Sequence, residues 1–175
     1  MSRFALGFAG VLAGSLLAGC AAMQPKTVQM NSPFDAEKAQ QMLKPGPNTI
    51  TGSAVIRQSG GGVVTCAGNP VYLVPSTEYA TQRIRAIYGN GYKGYVPAAG
   101  YRKIEFIPDE PGYNKYTRQT SCDAQGNFEF TSVADGYFYV TTAITWSVNY
   151  VAQGGALMQY VDVRGGETEK VVLSP

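Results

Sequence analysis

The stretch from Cys122 to Thr142, CDAQGNFEFTSVADGYFYVTT, decides the fold class. Its residues 123–126 have the composition of a tight turn, since Asp bonds its own backbone and Gly accepts a positive φ. Phe128 and Phe130 then alternate with polar residues, a period of two that is typical of a strand with one buried face. A second turn signal at 134–136 leads into another run of strand formers. The stretch therefore predicts two antiparallel strands.

The spacing of these Asp, Gly and aromatic residues resembles the carboxypeptidase regulatory-like family of sandwiches, which is similar to transthyretin. The family pattern reads roughly D-x-x-G-x-F-x-F-x-x-V-x-x-G-x-Y-x-V, and Phe138 stands here for the usual Tyr. Residues 69–75, NPVYLVP, resemble the family's earlier G-x-P-V strand with a shortened spacer, and residues 158–173 resemble its closing pair of strands. The resemblance implies one antiparallel β-sandwich of about seven strands. The resemblance identifies no catalytic residues in this chain, because the domain usually acts as a folding, docking or binding module.

Composition narrows the function further. The chain has 175 residues, 45% hydrophobic and 15% charged, which is typical of one globular domain, and its net charge of +2 indicates no nucleic-acid partner. Histidine is absent, which removes the commonest general base and metal ligand. The adjacent carboxylates Asp109 and Glu110 lie in a Pro-Gly turn and do not suggest an acid-base pair. The sequence therefore predicts no enzyme, no cofactor and no metal.

Residues 1–19 are predicted to be a lipoprotein signal peptide. Arg3 gives a positive start, an apolar run follows, and Leu17-Ala-Gly-Cys20 resembles the bacterial lipobox. Cleavage would make Cys20 the lipidated first residue, carrying palmitate-type acyl chains as an anchor. Ala21 in place of Asp favours the outer membrane, with the periplasmic or surface face left open. The alternative is an ordinary cleaved signal that happens to end in Cys.

Residues 20–47 are predicted to form a lipidated tether and a short helix. The tether covers residues 21–31, which show no periodicity. Ser32 is the expected N-cap of a helix that runs to about Leu43 and ends in Lys44-Pro-Gly-Pro47. The alternative is a frayed segment, because one short helix needs a packing partner.

Cys66 and Cys122 are the cysteines that remain after lipidation of Cys20, and exported proteins keep disulfides. We expect them to pair. A redox-active or metal-binding role is the alternative, but there is no C-x-x-C spacing and no His.

The sandwich is predicted over residues 48–175, with an insertion at about 77–118. Within the insertion, residues 76–89 favour a helix capped by Ser76, and residues 90–100 are expected to be irregular. Near the C-terminus, Gly154-Gly155 is read as the turn that follows a long strand.

The stretch from Tyr79 to Tyr116 holds seven of the twelve tyrosines and a surplus of basic residues. Tyr and Arg are enriched where proteins recognise partners, and aromatic rings stack on sugar faces. The predicted contact residues share a Gly-rich loop and its basic flank; they are Tyr92, Tyr95, Tyr101, Arg102 and Lys103. Tyr137 and Tyr139 extend the aromatic set onto the sheet. The alternative is that these rings only cover a sandwich edge.

The sequence thus indicates a non-enzymatic binding or scaffolding module, held at the outer membrane by its lipid, with a glycan or an envelope protein as partner. The alternative is an accessory factor for envelope assembly or export that binds another envelope protein through a sheet edge.

Overall fold

The structure is a computed structural model that describes residues 24–175. The predicted signal peptide and Cys20 lie outside the described residues. Within them the elements follow one another as β1 (Lys26–Gln29), α1 (Ala36–Met42), β2 (Asn48–Arg57), β3 (Val63–Thr65), β4 (Pro70–Pro75), α2 (Glu78–Tyr88), β5 (Lys93–Pro97), β6 (Ile104–Ile107), a 3-10 turn (Tyr113–Lys115), β7 (Arg118–Ser121), β8 (Asn127–Val133), β9 (Gly136–Val148), β10 (Val151–Val163) and β11 (Thr168–Leu173).

Two sheets enclose the main core. The larger is antiparallel throughout and has the order β5-β10-β9-β4-β7. In the smaller sheet β2 lies between β11, which is parallel to it, and the antiparallel strands β8 and β3. A mainly β chain with antiparallel sheets and two short helices is therefore confirmed, in an arrangement consistent with a β-sandwich.

The core follows from the alternation seen in the sequence. Phe128 and Phe130 of β8 point inward, while the residues between and beside them are exposed. Phe138 and Val140 meet them from β9, and all four are buried. Each inward aromatic or β-branched side chain removes apolar surface from water, which is the main force holding the sheets together.

The insertion covers the outer face of the larger sheet. Ala80 and Ile84 of α2 pack on Val74, Tyr139 and Met158. On its other side α2 meets a two-stranded parallel sheet of β1 and β6, which packs through a further buried cluster centred on Met30, Tyr79 and Phe106. The N-terminal strand therefore joins the insertion in one outer layer.

Two sequence expectations are wrong here. Lys26–Gln29 is a strand paired with β6, not part of a flexible tether, and Lys93–Pro97 is an edge strand paired with β10, not irregular chain. Both segments are short and acquire order from backbone pairing with distant residues, which local composition does not reveal.

The helices occur where they were predicted, with shifted starts. Thr77, not Ser76, caps α2 by accepting a hydrogen bond from the Ala80 amide at 3.2 Å. Asp35, not Ser32, caps α1. Gly89 ends α2 with φ 79°, as predicted for a C-terminal glycine. None of the helices in the described range is long and apolar enough to cross a membrane.

The turn between β9 and β10 is also displaced from its predicted place. It lies at Asn149 and Tyr150, both at positive φ, and Gly154-Gly155 lies inside β10. A Cβ at Gly154 would lie 2.1 Å from the Ile144 carbonyl oxygen and 2.7 Å from the Trp146 ring. Glycine is therefore needed at 154 for close packing rather than for a turn.

The predicted disulfide is confirmed. Cys66 and Cys122 are bonded with their Cα atoms 5.8 Å apart, across 56 residues of sequence. Both are buried in the main core. Since Cys66 precedes β4 and Cys122 follows β7, which pairs with β4, the bond closes the base of the whole insertion.

Candidate functional site

The predicted contact residues do not form one surface. Tyr95 points into the sandwich, packs against the main core and donates a hydrogen bond from its hydroxyl to the Gly154 carbonyl at 2.9 Å. It is therefore a structural residue. Alternation along β5 sends its neighbour Val96 to the outer face.

The basic residues and Tyr101 lie near the N-terminal strand. Arg102 donates from Nη2 to the Gln24 carbonyl at 3.0 Å, and Lys103 lies 3.5 Å from the Glu105 carboxylate. Tyr101, half exposed, borders an apolar cleft beside Ile87 at the end of α2. The Arg102 contact joins this segment to the N-terminal end of the described chain, and none of these three residues contacts Tyr92 through a hydrogen bond or ion pair in the described residues.

Tyr92 instead joins Tyr137 and Tyr160, and we call these three residues the tyrosine platform. The Tyr137 and Tyr160 rings are stacked with centroids 5.7 Å apart and an angle of 15° between planes. The Tyr92 ring meets Tyr160 edge-on at 6.1 Å. Tyr92 is 74% exposed and Tyr137 is 41% exposed, so aromatic surface from two chain segments is open to solvent, with the half-buried Tyr160 between them.

Strand register builds the platform. Tyr160 of β10 lies opposite Tyr139 of β9, and Asp162 lies opposite Tyr137, so all four side chains share the outer face. Tyr139 is buried beneath, with its ring 5.5 Å from Tyr160 and its hydroxyl 3.0 Å from the Thr81 hydroxyl of α2. The platform therefore rests on a packed layer.

The loop that carries Tyr92 is also held in place. The Asn90 side-chain oxygen accepts hydrogen bonds from the amides of Tyr92 at 2.8 Å and Lys93 at 3.1 Å. The Tyr160 amide donates to the Tyr92 carbonyl at 2.7 Å. Tyr92 thus extends the edge of the sheet.

A charged pair borders the platform. The Arg164 guanidinium lies 4.9 Å from the centroid of the Tyr137 ring and donates to both the Tyr137 hydroxyl and the Asp162 carboxylate. The hydrogen bond to Asp162 and the negative charge of that carboxylate raise the pKa of Arg164. The guanidinium therefore stays positively charged. Burial and then the neighbouring tyrosines raise the pKa of Tyr160. The site therefore offers aromatic rings beside one ion pair.

This arrangement suits a ligand with a flat apolar face and polar edges. The rings can stack on such a face, while the hydroxyls, the carboxylate and the guanidinium supply donors and acceptors at its rim. Sequence reasoning found Tyr92 and noted Tyr137, but it missed Tyr160, Asp162 and Arg164. The available signal was their spacing of two residues, which places Tyr160 and Asp162 on one face of β10 and Arg164 one residue beyond the end of that strand.

Another surface concavity of the described residues lies on the smaller sheet. It has a volume of about 660 Å³, and its lining includes the polar residues Thr51, Ser53, Asp123, Glu129 and Lys170. The Asp123 carboxylate accepts hydrogen bonds from Asn127 and from neighbouring backbone amides of its own turn. These bonds lower the pKa of its carboxyl group. This groove exposes no aromatic platform, and we do not assign a ligand to it. Within residues 24–175 no group of three or more His, Cys, Asp or Glu side chains could hold a metal ion.

Comparison with known proteins identifies a fold relative. A crystal structure from Pseudomonas aeruginosa, described as that of a proposed carbohydrate-binding protein, matches with a TM-score of 0.66 and 23% identity. The match covers 82% of this chain and 99% of that one. No family model matches the sequence, and no curated protein matches it. At this identity the likeness shows that the two chains share a fold.

Proposed function

We propose that this chain is a non-enzymatic binding module of the bacterial outer membrane, and that it binds a glycan through the tyrosine platform. The observation that carries the proposal is the exposed stack of Tyr137 on Tyr160, extended by Tyr92 and bordered by the Asp162–Arg164 pair. Sugar rings present apolar C–H faces and hydroxyl rims, which match this combination of rings and charged groups. The proposed carbohydrate binding of the Pseudomonas aeruginosa relative supports the same ligand class.

Its cellular setting follows from the N-terminal sequence. We propose that Cys20 carries the acyl chains of a lipoprotein and that Ala21 directs it to the outer membrane. The buried Cys66–Cys122 bond supports an oxidising compartment, where such bonds persist. We also assign the sandwich to the carboxypeptidase regulatory-like group with its transthyretin-like fold, on the residues quoted above.

Binding of an envelope protein by strand addition ranks second. Strand addition needs a long uncovered edge. The outermost strands of the larger sheet, β5 and β7, have only five and four residues, and Pro97 ends β5. The geometry therefore favours the platform.

The test is binding to a panel of purified bacterial envelope glycans, including peptidoglycan fragments and lipopolysaccharide oligosaccharides. We expect one class of glycan to bind. The double substitution Tyr92→Ala and Tyr137→Ala should weaken the affinity for that glycan by roughly tenfold or more, since exposed aromatic anchors each contribute about 1 kcal/mol or more to binding. Tyr150→Ala, which removes another exposed tyrosine far from the platform, is the matched control and should bind normally. If no glycan binds, or if both variants bind equally, the assignment is wrong.

A further inference from the structure

The β9–β10 hairpin extends beyond the rest of the larger sheet. β5 pairs with β10 only as far as Gly155, and β4 pairs with β9 only as far as Thr142. Beyond these points β9 and β10 pair only with each other within that sheet, ending at the Val148–Val151 pair. The result is a two-stranded ribbon with Asn149 and Tyr150 at its end.

The end of this ribbon is apolar and exposed. We call Val148, Asn149, Tyr150 and Val151 the hairpin tip. Both valines are about half exposed, at 50% and 52%, and Tyr150 is fully exposed at 103%. Val63, at 55%, adds to the same end of the molecule from the neighbouring β2–β3 hairpin. Grouped apolar side chains in water are unfavourable for a soluble domain and mark a contact surface.

The charge beside the hairpin tip is positive. Residues 138–161 contain no Asp, Glu, Lys or Arg. A concavity beneath the tip is lined by residues that include Trp146 and Val148, and its one charged lining residue is Arg57, an exposed cation. A basic group beside an apolar, aromatic tip matches the chemistry of an anionic lipid headgroup layer.

The described chain begins at the same end. Ala98, just after β5, donates its amide to the Gly154 carbonyl at 2.8 Å in the ribbon. The chain then turns to Arg102, whose guanidinium holds the Gln24 carbonyl. Four residue steps separate Gln24 from Cys20, a reach of at most about 14 Å. An acyl group on Cys20 would therefore be tethered within this distance of Gln24.

We propose that the hairpin tip inserts into the interface of the bilayer that holds the Cys20 acyl chains, with Tyr150 at the level of the headgroups and Arg57 facing lipid phosphates. The inference rests on the proposed lipid anchor and is independent of the glycan. Tyr is suited to this depth because its ring is apolar and its hydroxyl reaches water. The tip and the anchor together fix the orientation of the domain.

The experiment uses the full chain made with its signal in a bacterial host and reconstituted into phosphatidylethanolamine–phosphatidylglycerol vesicles with brominated acyl chains. Trp146 is the single tryptophan, so Trp146→Phe with Tyr150→Trp leaves one reporter at the tip. Trp146→Phe with Tyr137→Trp, at the other end of β9, is the matched control. We expect bromine to quench the tip reporter at least threefold more than the control. Equal quenching of the two reporters would overturn the proposal.

A second arm separates failure of the tip from failure of the anchor. Mass spectrometry shows whether Cys20 is acylated, and residues 20–175 with Cys20→Ser, made without the signal, give a chain that must bind vesicles without acyl chains. On this background, changing Val148, Tyr150 and Val151 to Ser should lower the vesicle-bound fraction about tenfold, and circular dichroism should show that the variant is still folded. If the three changes leave vesicle binding unaltered, the tip does not contact lipid, whatever the state of Cys20.

Discussion

At the scale of single residues, Asn48 shows how one buried polar side chain holds several turns. It is fully buried, and its amide nitrogen donates to the Val133 carbonyl at 3.0 Å and to the Asp135 carboxylate at 2.9 Å. Its oxygen accepts from the amides of Gly166 at 2.8 Å and Glu167 at 3.1 Å. Asn48 therefore ties the start of β2 to the β8–β9 and β10–β11 turns.

We expect Asn48→Ala to lower the free energy of unfolding by about 3 kcal/mol, because the Val133 carbonyl and the Gly166 amide lose the Asn48 side chain as their partner near the protein interior. Urea denaturation followed by circular dichroism measures the change. Asn114→Ala, at an exposed position, is the control and should change stability by less than about 0.5 kcal/mol. Equal effects of the two substitutions would contradict the role of Asn48.

Residue types also explain why the site was only partly predictable. Tyr92 lies in a Gly-rich loop and is exposed, whereas Tyr95, three residues on, belongs to a strand whose alternation turns it inward. The strand itself was not predicted, so its inward and outward faces could not be assigned. Tyr160 and Asp162 lie in a strand that was predicted, but their meeting with Tyr92 depends on strand order, which sequence alone does not specify.

At the scale of elements, strong local patterns were predictable and weak ones were not. β8 and β9 carry clear alternation with turn signals on each side, and α2 has a cap and a C-terminal glycine. β1 has four residues and β5 five, too few for a period to emerge. These two strands form because of tertiary contacts with α2 and β10.

Arg83 of α2 is the clearest link in that packing. Its guanidinium lies 3.9 Å from the centroid of the Phe106 ring on β6 and 4.8 Å from that of Tyr113. It also forms an ion pair with Asp109, and its side chain is only 17% exposed. Burial raises the pKa of Tyr113 to about 12, and the positive charge of Arg83 opposes that rise. One cation thus joins α2 to the outer strands.

We expect Arg83→Met to lower the free energy of local unfolding of the outer layer by about 1–2 kcal/mol. The aliphatic part of the side chain is kept, while the cation over the aromatic rings is lost. Hydrogen exchange should show faster exchange of the β1 and β6 amides, with β8 and β9 unchanged. Arg85→Met, an exposed arginine on the same helix, is the control. Faster exchange throughout the sandwich would mean that Arg83 supports the whole fold instead.

At the scale of the whole molecule, the two proposed surfaces lie at opposite ends of the larger sheet. Tyr137 opens β9 and belongs to the tyrosine platform, and Val148 closes β9 and belongs to the hairpin tip. Eleven residue steps at about 3.3 Å each separate them by roughly 36 Å. If the tip and Cys20 face the membrane, the platform faces away from it, where a polymer in the envelope can reach it.

Neutron reflectometry on supported bilayers carrying the acylated chain tests this polarity. An upright domain should give a protein layer that extends roughly 40 Å or more above the headgroups, because the sheet stands along the membrane normal. Changing Val148, Tyr150 and Val151 to Ser keeps the Cys20 anchor but removes the second contact, so the layer should become thinner and broader as the domain tilts. The Tyr92→Ala and Tyr137→Ala variant alters the other end and should keep the wild-type profile. A thin layer for the wild-type chain would place the platform beside the bilayer, and the ligand would then have to be sought at the membrane surface.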